Sequence, residues 1–466
     1  MDESGSSWQH FSDWLTPLQE RRKIPGIAVR VFSGTEILFE HGFGHADTAR
    51  GRPVDMDTFF GIASVTKSFT ALAVLKAATD GLLGLDDPVE SWLKEFTLWP
   101  DGGPVIRQFL TQTSGLPALP TLVHAMAESG RGDPTEAFDP VPPPEELVPA
   151  GSAEEIIAYL NREARVEPPG SLFCYQNDAW GLLGTIVERA AGVPFAQYLA
   201  AHVTDPLGMD RTTFDLERVL ADGNTTMLYA QDPAGNVIES PKWHDSEALA
   251  GAGFLRSTAR DLTAYTRFLL AADGGPLGID SGLLREMQSP LVWCGPGASY
   301  GYGLTVTEDW NGVTLVGHSG GLKGISSHVG FIPEAGIGAV VLTNLEDQPA
   351  DHIWLAAVAG QLGLPPGVPR YTPERRPVSG ADVAAILGEY RSGEPWGHVT
   401  IVRDDTGRLG VLQGEKQEHS EAFLASPDEI CIRGEDQDRC SVILRNDDGT
   451  ARGLHHARRI LYRVAD

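Results

Sequence analysis

GIASVTKSFTALAVLKAATDG, residues 61–81, decides what kind of fold this chain can build. After Lys67 the run carries one more charge, Lys76, before Asp80, so a helix made from it has almost no wet face and belongs inside the molecule. Ser64 and Lys67 stand three positions apart, and on a helix such positions share a face, so the ammonium can reach the hydroxyl. A lysine in apolar surroundings is costly unless it is compensated. To act as a base it must also fall from about 10.4 towards neutrality, through burial or a neighbouring cation. The same spacing recurs in SWLK, with Ser91 before Lys94. There the context is LDDPVESWLKEF, where Asp87, Glu90 and Glu95 offer solvent-facing partners and Lys94 needs no special role.

Outward from this helix, GIAVRVFSGTEILFEHGFG (26–44) reads as two β-rich runs around the turn SGTE, a hairpin. VTLVGHSGG and ISSHVGFIPEAGIGAVVLTN give three more strands far downstream. Between these ends the pattern is mainly helical, most clearly at 64–80, 151–163, 178–191, 194–202 and 258–271. The expected architecture is α+β: an antiparallel sheet built from both ends of the region, with a helical insertion between them. DPTEAFDPVPPPEELVP (133–149) reads as an irregular surface segment, and LPPGVPRYTPERRP (364–377) as a linker. Beyond it, about eight short strand-like runs separated by polar turns predict a small closed antiparallel barrel or sandwich. The expected domains are therefore 1–363, a proline-rich connection at 364–380, and 381–466.

The chain has 466 residues, 42% of them hydrophobic and 21% charged, with a net charge of −27. That composition predicts a globular protein with a generally acidic surface, which disfavours nucleic acid and anionic membranes as partners. No stretch approaches the roughly 20 apolar residues of a membrane helix. The start, MDESGSSWQHFSDW, lacks the basic and apolar blocks of a secretion signal, so a cytoplasmic location is expected. Cys174, Cys294, Cys431 and Cys440 fit neither a zinc pattern nor a dense disulfide framework, and are expected as reduced thiols. Cys431 and Cys440 could face each other across a hairpin, but a reducing compartment disfavours pairing. The 13 histidines include no H-E-x-x-H, and neither metal nor cofactor is expected.

Ser64 needs a proton carrier and oxyanion donors to be a catalyst. SLFCYQNDAWGLLG places Tyr175 and Asn177 in a loop just before a helix, whereas the other Y-x-N, Tyr159 with Asn161, falls in an amphipathic helix. In LVGHSGGLKG a β-rich run ends in His318, Ser319, Gly320 and Gly321, where glycines allow close approach of substrate backbone and of an oxyanion-stabilising N–H. Alone, that motif reads rather as a glycine-bulged strand with a solvated histidine.

In combination these residues resemble the serine β-lactamase and penicillin-binding-protein superfamily, of which Ser-x-x-Lys is a signature. The order Ser64, Tyr175, His318 is similar to the family's three motifs, over roughly residues 8–365 and closest to its class C-like branch. The resemblance implies that Ser64 is acylated, that Lys67 shares its proton traffic, and that Tyr175 serves as general base and acid. It implies further that Asn177, His318, Ser319 and Gly320 bind substrate, and that the N–H groups of Ser64 and Gly321 form the oxyanion hole. His318-Ser319-Gly320 stands where class C β-lactamases have Lys-Thr-Gly, a form similar to D-aminopeptidases and D-peptidases. Lys323 either replaces that lysine cation or lies at the surface, and the surface is the expected place. The carboxy-terminal region resembles the lipocalin-like domains of some relatives, in which Trp396 and Phe423 would line or pack the barrel. The expected activity is amide hydrolysis on short, D-containing peptides or amides, with esterase or acyltransferase activity and a non-catalytic sensor as alternatives. Homo-oligomerisation is left open.

Overall fold

The computed structural model describes residues 3–464 apart from 100–101, 164–166, 395–396, 405, 414–417 and 435–437. A helix, α1 (Glu3–Arg22), leads into the predicted hairpin, β1 (Gly26–Ser33) and β2 (Ile37–Asp47), edged by β3 (Arg52–Pro53). The helical insertion follows, with α2 (Thr66–Thr79), α3 (Asp178–Ala191) and α4 (Ala259–Ala271) as its longest members. The chain then re-enters the sheet through β4 (Val292–Gly295), β5 (Ala298–Tyr300), β6 (Thr305–Trp310), β7 (Val313–Leu322), β8 (Ile325–Ile332) and β9 (Ile337–Thr343), and covers it with α5 (Ala350–Ala359).

Among the described residues these strands form one antiparallel nine-stranded sheet, ordered β3-β2-β1-β9-β8-β7-β6-β5-β4. The two ends meet where β1 pairs with β9, from Ile27 opposite Thr343 to Ser33 opposite Ile337. Every residue of β8 is buried, as expected of a strand covered on both faces. One face carries the larger core, in which Phe69 of α2 stacks on Tyr265 of α4 at 3.9 Å. The other face is closed by α1 and α5, whose Leu15, Ile353 and Trp354 are fully buried. The apolar run quoted above is buried as its composition demands: α2 hides all but three of its 14 residues.

Several expectations shift by a few residues. Ser64 lies in a 3₁₀ turn, Ala63–Val65, just ahead of α2, and the helix at 194–202 is Phe195–Leu199 followed by a π turn to Thr204. The segment 133–149 is largely at the surface, yet Asp133 and Thr135 are buried.

The carboxy-terminal region is a closed barrel of eight strands: β10 (Gly388–Arg391), β11 (His398–Arg403), β12 (Leu409–Gln413), β13 (Glu418–Ser426), β14 (Glu429–Ile432), β15 (Arg439–Arg445), β16 (Ala451–His456) and β17 (Arg459–Arg463). Two expectations fail here. Cys431 and Cys440 are joined in a disulfide, because the β14–β15 register sets them directly opposite each other with Cα atoms 4.0 Å apart. Phe423 neither lines nor packs the barrel: strand alternation sends Ala422 and Leu424 inward, and the Phe423 ring lies between the guanidiniums of Arg375 and Arg433. Trp396 lies outside the described residues.

The barrel is docked on the rest of the protein. Ala118, Cys174 and Ile460 form an apolar cluster across the junction, Tyr462 donates to Glu167 at 3.2 Å, and Tyr371 of the proline-rich connection donates to Glu429 at 2.7 Å. Among the described residues no helix is long and apolar enough to cross a membrane.

Leu72, fully buried in α2, sets a test of this core. Leu72→Ala is expected to cost about 2–5 kcal/mol in urea unfolding, and a loss below about 1 kcal/mol would mean that the helix is not packed as described.

Candidate active site

The site begins with Lys67, whose side chain has no contact with solvent. Its ammonium donates to Ser64 Oγ at 3.1 Å, to Asn177 Oδ1 at 2.9 Å and to the Ala252 carbonyl at 2.6 Å, one acceptor for each proton. Burial lowers its pKa; neighbouring Tyr175 opposes that shift and Arg459 adds to it. Ser64 is half-buried and so remains reachable from the adjoining pocket.

Each partner is held by its own element. Ala63 sits at φ 44°, a left-handed conformation uncommon for alanine, and Thr66 Oγ1 bonds back to its carbonyl at 2.7 Å. Tyr175 follows a loop pinned by Cys174 N to Gln112 O at 2.9 Å and Gln176 N to Gln112 Oε1 at 3.0 Å. Asn177 caps α3, and with its side chain free of the helix end, its amide oxygen is available to Lys67. The Lys67 ammonium lies 4.9 Å from the centre of the Tyr175 ring.

β7 forms the opposite wall. His318 Nδ1 lies 2.6 Å from the Ser319 carbonyl, which can only accept, so Nδ1 carries the proton and Nε2 accepts from Tyr300 Oη at 3.0 Å. Burial, reinforced by Lys67, pushes the His318 pKa down to about 3, so the imidazole is neutral. Ser319 is turned away: its Oγ pairs with His328 Nδ1 at 2.8 Å, and His328 packs on Trp354 on the other side of the sheet. Gly320 is required by space. A Cβ there would lie 2.2 Å from the Ile62 carbonyl and 2.9 Å from Ser64 N, so only glycine lets β7 approach the Ser64 turn so closely. Gly321 lines the pocket beside Ser64.

The pocket holds about 350 Å³, towards the small end of ligand sites. Ser64, Tyr175, Asn177 and Gly321 line it, whereas His318, Ser319 and Gly320 support the wall behind them. Sequence reasoning missed Glu346, Asp347 and Arg459 among its charged residues and misplaced Lys323. Lys323 is in the pocket and buried, paired with Asp133 at 3.2 Å, which corrects its expected place at the surface. Glu346 is partly buried, which raises its pKa to about 7 with help from Asp347. Arg459 comes from the barrel: it pairs with Glu394 at 2.6 Å and lies 4.8 Å from the Tyr175 ring centre. Its neighbour Arg458 accepts the Tyr175 N–H on its carbonyl at 2.8 Å. Ser91 and Lys94 are both exposed, and the Ser91 hydroxyl donates to the Pro88 carbonyl at 2.6 Å.

A protein-family model described as Beta-lactamase matches residues 11–362. The chain is 31% identical to Esterase EstB of Burkholderia gladioli over 365 residues, 70% of this chain and 87% of that protein. It is 26% identical to a D-aminopeptidase of Brucella melitensis over 446 residues, 95% of this chain and 76% of that one. It spans 68%, 61% and 54% of the length of three other curated relatives. Among solved structures, the octameric penicillin-binding protein homologue from Pyrococcus abyssi is similar at a TM-score of 0.69 and 26% identity, over 97% of this chain and 99% of that one.

Glu346 gives the site a measurable signature. The folded protein holds this proton up to about 7, while an ordinary carboxyl releases it near 4.5, so between those values the folded state binds the extra proton. Stability contributed by Glu346 is therefore present below 4.5 and lost as pH rises through about 7. Glu346→Gln is expected to flatten that decline in urea midpoints measured across the interval; an unchanged slope would contradict the placement.

Proposed function

The chain belongs to the beta-lactamase family, and from that premise we propose that it is a serine hydrolase cleaving amide bonds of short peptides or amino-acid amides, with D-residues at the scissile bond. The observation that carries the reading is the buried Lys67 ammonium at 3.1 Å from Ser64 Oγ, with Tyr175 beside both. Ser64 Oγ attacks the carbonyl carbon as Tyr175, acting in its phenolate form against the Lys67 ammonium, takes its proton. The oxyanion forms against the backbone N–H groups of Ser64 and Gly321, and the C–N bond breaks as Tyr175 returns the proton to the leaving amine. Water then releases the acyl group by the same route in reverse. Lys67 holds Ser64 and Asn177 in register throughout. Asn177 offers its remaining amide protons to substrate, and His318, Ser319 and Gly320 shape the wall against which substrate backbone lies.

Substrate size and charge support short peptides. The pocket is small, is walled on one side by a barrel hairpin, and carries both signs of charge in Lys323, Arg459, Glu346 and Asp347, which suits a zwitterionic ligand. The neutral His318 stands where a lysine would hold an antibiotic carboxylate, which speaks against a dedicated β-lactamase. The D-aminopeptidase relative supports the D-specific reading, and the esterase relative favours a second one, hydrolysis of carboxylic esters by the same serine. Homo-oligomerisation is in keeping with the octameric neighbour.

Turnover of paired D- and L-aminoacyl anilides and p-nitrophenyl esters, with mass spectrometry of the trapped intermediate, tests this. The expected outcome is D-anilide cleavage with an acyl adduct on Ser64. Ser64→Ala is expected to lose about 10⁴-fold or more in kcat, and Tyr175→Phe about 10²- to 10⁴-fold. Ester cleavage with no anilide cleavage would move the assignment to the esterase, and unchanged rates in Ser64→Ala would end the mechanism.

A further inference from the structure

A second cavity, of about 280 Å³, lies between the catalytic region and the barrel. Arg370 from the proline-rich connection, Arg439 from β15 and Arg458 from the β16–β17 turn line it. In a chain with 63 acidic and 36 basic residues, three guanidiniums around one space reverse the prevailing charge. Among the described residues none of the three has an ion-pair partner. Arg370 is the extreme case: its Nη2 is shut away from solvent without a hydrogen-bond partner. Asp351 lowers the cost of its charge and Arg458 raises it.

The other groups around the cavity do not neutralise these charges. The carboxylate of Asp438 is engaged with Arg433 at 3.4 Å. His456 is tied to Ser441 Oγ at 2.7 Å and Gln413 Nε2 at 3.1 Å, and His455 Nε2 lies 3.2 Å from the Phe173 carbonyl. Burial pushes both imidazoles down to about 4, so they stand as neutral walls. Buried cations without partners are rare in folded proteins, and forked guanidiniums match the paired oxygens of phosphates and carboxylates.

We propose that this cavity binds a small multivalent anion, bearing phosphate or several carboxylate groups, held by Arg370, Arg439 and Arg458. The site goes beyond the hydrolytic reading and does not rest on it. Its position connects it to the catalytic pocket through one turn. Ala457 and Arg458 hold φ of 46° and 66°, left-handed conformations disfavoured without glycine. The same turn gives its Arg458 carbonyl to Tyr175 N and sets Arg459 over the Tyr175 ring. An anion seated on Arg458 braces that turn and steadies the wall beside Ser64.

Calorimetric titration of the full chain with inorganic pyrophosphate and, separately, with citrate, in chloride-poor buffer near neutral pH, tests the site. One-to-one binding of at least one of them is expected with a sub-millimolar Kd, and the stronger binder separates a phosphate from a polycarboxylate ligand. Arg370→Gln combined with Arg439→Gln is expected to weaken binding about tenfold or more. The single Arg439→Gln variant, at an exposed residue, is expected to weaken it about threefold or more and serves if the double variant does not fold. Lys323→Gln, in the catalytic pocket, is expected to leave it unchanged. No saturable binding of either anion up to about 10 mM, undiminished binding in Arg439→Gln, or binding abolished by Lys323→Gln would overturn the proposal.

Discussion

A lysine with no access to water is the constraint on which the rest of the structure depends. The Lys67 ammonium must find three acceptors inside the protein, and it finds them on three separate segments: its own turn, the loop before α3, and the carbonyl of Ala252. Any of these moving away would strand a buried charge, so the ammonium binds the segments together as much as it prepares the serine. The neighbouring bonds repeat the arrangement. Thr70 Oγ1 reaches Gly251 O at 2.8 Å, Leu255 N reaches Thr66 Oγ1 at 3.2 Å, and Ile62 N reaches Leu255 O at 3.1 Å, so residues 251–255 are stitched along the start of α2.

The sheet supplies the second constraint. β7 can approach the Ser64 turn only because Gly320 lacks a side chain, and Ser327 of β8 fixes the same turn by donating to the Ile62 carbonyl at 2.8 Å. Ser64 is thus clamped between an apolar helix below and a glycine strand above. The barrel closes what remains, since the Tyr175 N–H donates to the Arg458 carbonyl in the turn between β16 and β17.

What the sequence revealed follows from which signals are local. Ser64 and Lys67 were legible because an unbroken apolar run around a lysine has few innocent explanations, and Tyr175 and Asn177 because a loop pair before a helix differs from one within it. The sheet from both ends and the eight-strand barrel were legible through alternation and turns. Lys323, Glu346 and Arg459 were not, since their place in the pocket is set by the packing of Asp133, residues 346–347 and a distant hairpin, none of which leaves a mark nearby in the chain. Ser319 illustrates a different limit. It belongs to the recognised motif, but period-two alternation turns its hydroxyl to the far face of the sheet, where His328 waits. The Cys431–Cys440 bond was misjudged for a related reason: cross-strand register, which sequence gives only loosely, brings the sulfurs together, whereas the inference had relied on compartment.

The hairpin between β16 and β17 also has a consequence in time. Synthesis delivers the turn of Ser64 some four hundred positions before the residues from Ala457 to Arg459. Until that hairpin is made and docked, Tyr175 lacks the carbonyl that holds its backbone and the pocket lacks a wall. The two halves of the pocket are therefore completed at different times, and the surroundings of Ser64 are finished only when the barrel hairpin docks.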